Sequence, residues 1–194
     1  MESLKIGPYT AGDDVDFGPV VCAAAKERIE ALVQSGVDQG ATMAVDGRGF
    51  SLQGYEDGFF VGATLFDNVT TDMDIYKQEI FGPVLSTVRV DTYEDALKMT
   101  MENEYGNGTA IFTRDGDTAR DFASRVNVGM VGVNVPIPVP LAYHTFGGWK
   151  KSAFGDLNQH GPDAFKFYTR TKTVTSRWPS GNKEGAEFSI PTMK

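Results

Sequence analysis

The sequence has 194 residues, of which 41% are hydrophobic and 23% charged, a composition that fits a folded domain and excludes disorder over most of the chain. Its 26 acidic residues exceed its 18 basic ones, for a formal net charge of -8, so a nucleic acid partner is not expected. No apolar stretch reaches the roughly 18 residues of a membrane helix, and residues 1–10 lack a signal-peptide pattern, so we expect a cytoplasmic protein without a membrane segment.

The first predicted element is an amphipathic helix. Pro19 suits its first position and Gly36 its end. Its apolar face is predicted from residues at helical spacing, namely Val21, Ala25, Ile29, Leu32 and Val33. This face implies that the helix packs on the core of the protein.

Two strands and a short helix follow. Apolar runs predict strands over residues 43–45 and 59–66, and residues 72–77 suit a short helix. The segment Glu-Ile-Phe-Gly-Pro at residues 79–83 then predicts a turn, directly before a buried strand over residues 84–90.

The middle of the chain repeats this alternation. Thr92 and Asp95 form a capping-box pattern that opens a helix, and residues 109–113 are predicted to form a strand. A second helix, closed by Gly129, precedes a strand over residues 130–135. Alternating helices and strands with short connections favour an α/β fold, a mainly parallel sheet with helices on both faces.

The last third of the chain has a different pattern. Three alternating prolines between residues 136 and 140 predict an extended loop of fixed shape, and residues 162–167 suit a helix. An alternating segment that begins at Thr169 and ends at Trp178 is typical of an edge strand that requires a partner. Residues 181–194 are predicted to form a loosely held polar tail.

The sequence contains few reactive side chains. Cys22 is the single cysteine, which excludes an internal disulfide; it is a candidate nucleophile, but no histidine lies near it in the sequence and a structural role is favoured. His144, Asp156 and His160 do not have the spacing of a known metal site, so no metal is expected. No glycine-rich phosphate-binding loop follows a predicted strand.

Glu79 and Phe81 are the best candidates for a binding site. An acidic residue fixed by the Phe-Gly-Pro turn has a carboxylate that can accept hydrogen bonds from ribose hydroxyls, with Phe81 packing beside the bound ring. The alternative is that Glu79 caps a turn and Phe81 fills the core. The residue chemistry alone favours this alternative and leaves both open.

Four stretches of the sequence resemble the aldehyde dehydrogenase superfamily. They are EIFGPV at residues 79–84, EYGNGTAIFTR at 104–114, GMVGVN at 129–134 and FGGWK at 146–150. Further segments are similar to the methylmalonate-semialdehyde dehydrogenase subfamily, namely residues 135–140, 143–150, 154–162 and 167–179. The similarity extends over residues 4–180.

The resemblance implies that the chain is the C-terminal portion of a longer NAD-dependent enzyme. The NAD domain, the catalytic cysteine, the oxyanion-hole asparagine and the arginines for the substrate carboxylate are expected upstream, and Cys22 matches none of them. No catalytic residue is therefore assigned. Glu79 resembles the glutamate that binds the nicotinamide ribose, Phe81 the aromatic residue beside it, and Phe146 a residue near the substrate tunnel.

The resemblance also implies the reaction. The full-length enzyme is expected to oxidise a small semialdehyde through a cysteine thioester and to release the acyl group to coenzyme A. Leu157 stands where many hydrolytic members carry a glutamate, which favours the CoA-dependent branch. The chain alone is expected to be inactive. Two alternatives remain: a non-catalytic binding or assembly module, and a fragment of a water-dependent aldehyde dehydrogenase.

The expected organisation has three parts. Residues 1–165 form part of the catalytic domain, residues 166–180 contain the oligomerisation strand, and residues 181–194 form the tail. The strand between Thr169 and Trp178 is expected to join a sheet of a neighbouring subunit, which implies a homo-oligomer.

Overall fold

The computed structural model of the protein describes residues 1–176 and residue 178. Two compact units are present, one comprising Met1–Ala96 and one beginning at Leu97. The helices are α1 (Ala23–Asp38), α2 (Asp74–Lys77), α3 (Tyr93–Glu102), α4 (Gly116–Arg125) and α5 (Ala164–Tyr168). The strands are β1 (Thr42–Val45), β2 (Thr64–Asp67), β3 (Val84–Ser86), β4 (Tyr105–Gly106), β5 (Gly108–Ile111), β6 (Met130–Val133) and β7 (Trp149–Lys150). Two short 3₁₀ segments cover Tyr9–Asp14 and Gly161–Asp163.

The first unit contains a three-stranded sheet in the order β1-β2-β3. β1 pairs with β2 antiparallel, and β2 pairs with β3 parallel. Helix α1 and the sheet share one apolar cluster, because Ile29 and Val33 of α1 and Phe66 of β2 are buried together. The cluster also includes Ile80, which connects it to the candidate site described below.

Helix α1 confirms three of the five predicted core positions but not the predicted ends. Ile29, Leu32 and Val33 are buried, whereas Val21 is 85% exposed because the helix starts only at Ala23. Pro19 therefore lies before the helix and not at its first position. Gly36 is inside the helix, where its missing side chain permits close packing.

The two longer predicted strands of this unit are shorter in the structure. Only Thr64–Asp67 of the predicted strand 59–66 is paired, and the chain before it runs as irregular backbone in which Gly62 lies against Gly47. The predicted buried strand 84–90 is paired only over Val84–Ser86, and Leu85 is 54% exposed, so the prediction of burial was wrong. β3 is an edge strand, because it pairs with β2 on one side and no other described strand of this sheet pairs with its opposite side.

The second unit contains two small sheets. β5 and β6 pair parallel in the predicted βαβ order, with α4 between them. Asp115 caps α4 by accepting a hydrogen bond from the Asp117 N–H at 2.8 Å. β4 and β7 pair antiparallel. The alternation of helices and strands along both units agrees with the predicted α/β class, with parallel and antiparallel pairs both present.

The predicted cap of α3 is also confirmed. Thr92 Oγ1 accepts a hydrogen bond from the Asp95 N–H at 3.1 Å and donates one to Asp95 Oδ2 at 2.6 Å. These bonds satisfy one of the free N–H groups of the first turn. The division between the two units falls inside this helix.

The end of the described chain differs from the prediction. Helix α5 is present as expected, but residues 169–176 and residue 178 are exposed and form no strand. A single extended segment cannot form a β-ladder without a hydrogen-bonding neighbour. The predicted tail at 181–194 lies outside the described residues. No helix in the described part of the chain is long and apolar enough to cross a membrane.

Candidate functional site

The candidate site is the turn at residues 79–83, which follows α2 and leads into β3. Glu79 is exposed, Ile80 is 8% exposed and belongs to the core cluster, and Phe81 is 76% exposed. One side chain therefore anchors the turn while its two neighbours point to solvent. The alternative that Phe81 fills the core of this unit is wrong.

Arg28 of α1 holds the backbone of this turn. Its Nη1 donates to the Glu79 carbonyl at 3.2 Å, and its Nη2 donates to the Ile80 carbonyl at 2.7 Å. The planar guanidinium presents both donors in a fixed fork, so the two bonds restrain position and orientation together. The 79–83 turn is consequently tied to the helix and not only to the strand that follows.

Close backbone packing fixes the other side of the turn. A Cβ added at Gly82 would lie 2.6 Å from Ile29 Cδ1, so only glycine lets the turn approach α1 this closely. The Pro83 carbonyl accepts a hydrogen bond from the Thr64 N–H at 2.9 Å. Phe81 has a φ of 54°, which side-chain-bearing residues rarely adopt. The surrounding contacts hold this unfavourable conformation in place.

The exposed groups of the turn are suited to a polar ligand with a flat ring. Within the described residues, the Glu79 carboxylate has no hydrogen-bond or ion-pair partner. A carboxylate offers two acceptor oxygens, which can bind two neighbouring hydroxyls such as those of a ribose. The exposed Phe81 ring provides an apolar face beside it. The residues present therefore fit the ribose-nicotinamide part of a dinucleotide.

Phe146 lies in the second unit, in the loop after the proline segment. Its ring is half-buried and packs against His160, with ring centroids 4.4 Å apart and an interplanar angle of 36°. The Thr145 hydroxyl donates to Asn158 Oδ1 at 2.6 Å. A Cβ at Gly147, which has a φ of 83°, would lie 2.2 Å from the Asn107 carbonyl oxygen. These contacts give the Phe146 ring a defined place in its unit.

The predicted site residues fall into two groups. Glu79 and Phe81 share one turn in the first unit, and Phe146 belongs to the second unit. Cys22 is exposed at the N-terminal boundary of α1 and is not part of the buried core. Among the described residues, no group of three or more His, Cys, Asp or Glu side chains could hold a metal ion.

Sequence reasoning missed Arg28. Hydrophobic periodicity marks only the buried face of α1, and Arg28 precedes the buried Ile29 without any motif of its own. Its partners are backbone carbonyls 51 and 52 residues away, and backbone acceptors carry no residue signature. No single-sequence signal could have identified this pair.

The chain matches the aldehyde dehydrogenase family over residues 1–174. It is 54% identical over 194 residues to a malonate-semialdehyde dehydrogenase of Pseudomonas aeruginosa, an alignment that covers 100% of this chain and 39% of the relative. It is 48% identical over 195 residues to the mitochondrial methylmalonate-semialdehyde/malonate-semialdehyde dehydrogenase [acylating] of Bos taurus, with 100% of this chain and 36% of the relative covered.

Two solved structures are also similar. One is the NAD complex of a protein assigned as a methylmalonate-semialdehyde dehydrogenase from Sinorhizobium meliloti, with 70% identity, a TM-score of 0.86, and coverage of 93% of this chain and 36% of that one. The other is a methylmalonate-semialdehyde dehydrogenase from Oceanimonas doudoroffii, with 55% identity, a TM-score of 0.86, and coverage of 93% and 37%. The chain thus spans 36–39% of the length of these relatives.

Proposed function

This chain belongs to the aldehyde dehydrogenase family, and we propose that it supplies the nicotinamide-ribose contacts and part of the substrate site of an NAD-dependent, CoA-acylating malonate- or methylmalonate-semialdehyde dehydrogenase. The relatives with these names support an oxidoreductase acting on a small semialdehyde. Since the chain spans 36–39% of their length, the activity of the whole protein is part of the proposal.

The observation that carries the proposal is the 79–83 turn. Its Glu79 carboxylate is exposed and has no partner among the described residues, while the backbone under it is fixed by Arg28. A carboxylate with both oxygens free can accept hydrogen bonds from vicinal hydroxyls, and a fixed backbone beneath it lowers the entropy lost when a ribose binds. NAD supplies the hydride acceptor of the reaction when it is bound. Glu79 and Phe81 would hold its ribose and nicotinamide, and Phe146 would line the path of the aldehyde.

We propose that coenzyme A is the acyl acceptor. The Bos taurus relative is named as acylating, which supports transfer of the acyl group to coenzyme A. Leu157 agrees with this assignment, because a leucine side chain cannot relay a proton from an attacking water. The coenzyme A sulfur would attack the acyl carbon of the enzyme thioester and form the acyl-CoA thioester, while the bond to the enzyme cysteine breaks and that cysteine leaves with the proton of the coenzyme A thiol.

We further propose that the 194-residue chain is inactive by itself. Cys22 is its single cysteine and is exposed, with no histidine partner among the described residues. A thiol without an adjacent base to accept its proton is a weak nucleophile at neutral pH. The catalytic thiolate would therefore come from the segments of the relatives that this chain does not match.

The organisation in three parts also remains a proposal. Residues 1–165 would form part of the catalytic domain, residues 166–180 the oligomerisation strand and residues 181–194 the tail. Support comes from the exposed residues 169–176 and 178, among which Val174 and Trp178 are 75% and 89% exposed. An extended segment with exposed apolar side chains is suited to pair with a neighbouring subunit.

A hybrid enzyme tests the proposed function. In this hybrid, the present chain replaces the matching segment of the Pseudomonas aeruginosa relative, and NADH formation is followed with malonate semialdehyde, with and without coenzyme A. We expect NADH formation that requires coenzyme A, and no activity from the 194-residue chain alone. CoA-independent NADH formation would instead assign a water-dependent aldehyde dehydrogenase. A folded hybrid that binds NAD but never turns over would favour the non-catalytic binding module.

A further inference from the structure

The guanidinium of Arg28 contacts the two backbone carbonyls that precede the strained Phe81. The distances are 3.2 Å from Nη1 to the Glu79 oxygen and 2.7 Å from Nη2 to the Ile80 oxygen. We infer that Arg28 is a positioning residue for the dinucleotide, acting through Glu79 and Phe81 without touching the ligand. This inference rests on the proposed function, because it concerns the same binding site.

The turn requires such a restraint because its own backbone preferences oppose it. A φ of 54° at Phe81 is disfavoured by contact between the Cβ and the backbone. In the absence of external bonds, the peptide groups on either side would rotate towards extended conformations. Charged donors make stronger hydrogen bonds to carbonyls than neutral ones do, so the guanidinium is an effective restraint.

The remaining anchors hold the turn to the core but not its outward side chains. Ile80 is buried and Gly82 lies against Ile29, and neither contact involves the guanidinium of Arg28. Removal of the guanidinium should therefore leave the fold intact while the Glu79 carboxylate samples more orientations. A ligand that needs one of these orientations then binds more weakly, because ordering the side chain costs conformational entropy on binding.

The test measures NAD binding to the hybrid enzyme by isothermal titration calorimetry. Arg28→Met removes both donors, and we expect the dissociation constant for NAD to rise about tenfold. Arg28→Lys keeps a charged donor on one carbonyl and should give an intermediate loss. The matched control is Lys26→Met, which removes a positive charge from the same helix, where the ammonium has no partner among the described residues. An Arg28→Met effect no larger than that of Lys26→Met would overturn the inference.

A double-mutant cycle separates positioning from a general structural effect. If Arg28 acts through Glu79, the combined Arg28→Met and Glu79→Gln hybrid should bind NAD only about as weakly as Glu79→Gln alone. Losses that multiply would show that Arg28 acts independently of Glu79 and would contradict the inference. Should Arg28→Met prevent folding, the same cycle is performed with Arg28→Lys.

Backbone NMR relaxation of the 194-residue chain provides a readout that does not depend on the ligand. Arg28→Met should lower the order parameters of the Ile80, Phe81 and Gly82 amides, with those of the buried part of α1 unchanged. Unchanged order parameters in the turn would overturn the positioning role. If the hybrid with native Arg28 binds no NAD, the proposed function fails together with the inference. NAD binding that is unaffected by Arg28→Met contradicts the inference alone.

Discussion

Gly36 of α1 packs directly on Ile75 of α2, and a Cβ added at Gly36 would lie 2.8 Å from Ile75 Cδ1. The same Cβ would be 3.0 Å from Cζ of the fully buried Phe66. A glycine inside a helix normally costs roughly 1 kcal/mol relative to alanine. Here that cost is offset by the contact between two helices which only glycine permits.

Replacing Gly36 by alanine should therefore destabilise the protein. Overpacking of a well-filled core typically costs about 1–3 kcal/mol. This cost equals or exceeds the roughly 1 kcal/mol by which alanine is favoured over glycine inside a helix. We expect a lower midpoint in urea or thermal unfolding. The control is Gly116→Ala in α4, where the added Cβ meets only the flexible end of Arg120 at 3.3 Å. A Gly36→Ala variant as stable as the Gly116→Ala variant would contradict this expectation, because it would show that α1 and α2 can move apart to accept the methyl group without loss of stability.

Lys150 stabilises the C-terminal end of α3. Its Nζ donates to the carbonyls of Met101 and Asn103 at 2.9 Å each and to the Thr100 carbonyl at 3.4 Å. The carbonyls at the end of a helix lack intrahelical partners and carry partial negative charge. The positive charge that α3 lacks in its own last turn is thus supplied from β7.

Lys150→Met should lower the free energy of unfolding by about 1 kcal/mol, because the ammonium and its bonds are lost while the apolar stem is kept. Lys151→Met is the matched control. Lys151 pairs with Glu104 across the surface with 67% of its side chain exposed, and such pairs contribute little. Equal stability losses in urea titrations of the two variants would count against a specific role for Lys150.

The Asp46–Arg48 ion pair predicts that the stability of the fold falls at acidic pH. The Arg48 Nε donates to Asp46 Oδ1 at 2.9 Å and its Nη2 to Oδ2 at 2.6 Å, and this side-chain hydrogen bonding holds the pKa of Asp46 below its ordinary value. A lowered pKa in the folded state means that the pair stabilises the fold above the ordinary carboxyl pKa of about 4. The stabilisation is lost as the pH falls from there through the lowered value.

Asp46→Asn should therefore lower stability at pH 7 slightly and flatten the decline below about pH 4. The effect is small because the Asp46 side chain is 41% exposed and water screens the pair. Urea midpoints between pH 2 and pH 7 measure it, with Asp57→Asn as a control whose carboxylate has no partner among the described residues. An Asp46→Asn curve parallel to that of the native protein would exclude the pair as a source of acid sensitivity.

Since Phe146 is proposed to line the path of the aldehyde, loss of its contact with His160 should weaken the use of the aldehyde substrate and leave NAD binding unchanged. Removal of the ring by His160→Ala leaves Phe146 with a gap on one face, so its position becomes less defined. In the hybrid enzyme we expect the KM for malonate semialdehyde to rise several-fold at an unchanged NAD dissociation constant. Gln159→Ala, at the adjacent exposed position, should change neither. Unaltered kinetics of His160→Ala would place Phe146 outside the substrate path.

Much of the fold could be predicted because periodicity reports which face of an element is buried. The spacing of Ile29, Leu32 and Val33 identified α1, and the Thr92–Asp95 pattern identified the start of α3. The ends of α1 could not be predicted, because a proline and a glycine at plausible distances resemble helix boundaries. Gly36 is needed for packing on Ile75, a contact between elements that local sequence does not encode.

The site was predicted less completely than the fold. The resemblance to the aldehyde dehydrogenase family is confirmed, and it drew attention to Glu79 and Phe81. The residue chemistry alone favoured a core position for Phe81, since an isolated phenylalanine is usually buried. Its exposure depends on the left-handed backbone of the turn, which the Arg28 bonds and the close approach of Gly82 to Ile29 sustain. These contacts join segments about fifty residues apart.

The role of Glu79 in binding the nicotinamide ribose is tested most directly by the NAD affinity of the hybrid enzyme with Glu79→Gln, compared by calorimetry with that of Glu27→Gln on the exposed side of α1. A glutamine keeps the size of the side chain but loses the charge and one acceptor oxygen. We predict that Glu79→Gln weakens NAD binding at least about tenfold, since hydrogen bonds to a charged group are involved, and that Glu27→Gln leaves it unchanged. Equal NAD affinities in the two variants would contradict the assignment of the 79–83 turn to the nicotinamide ribose.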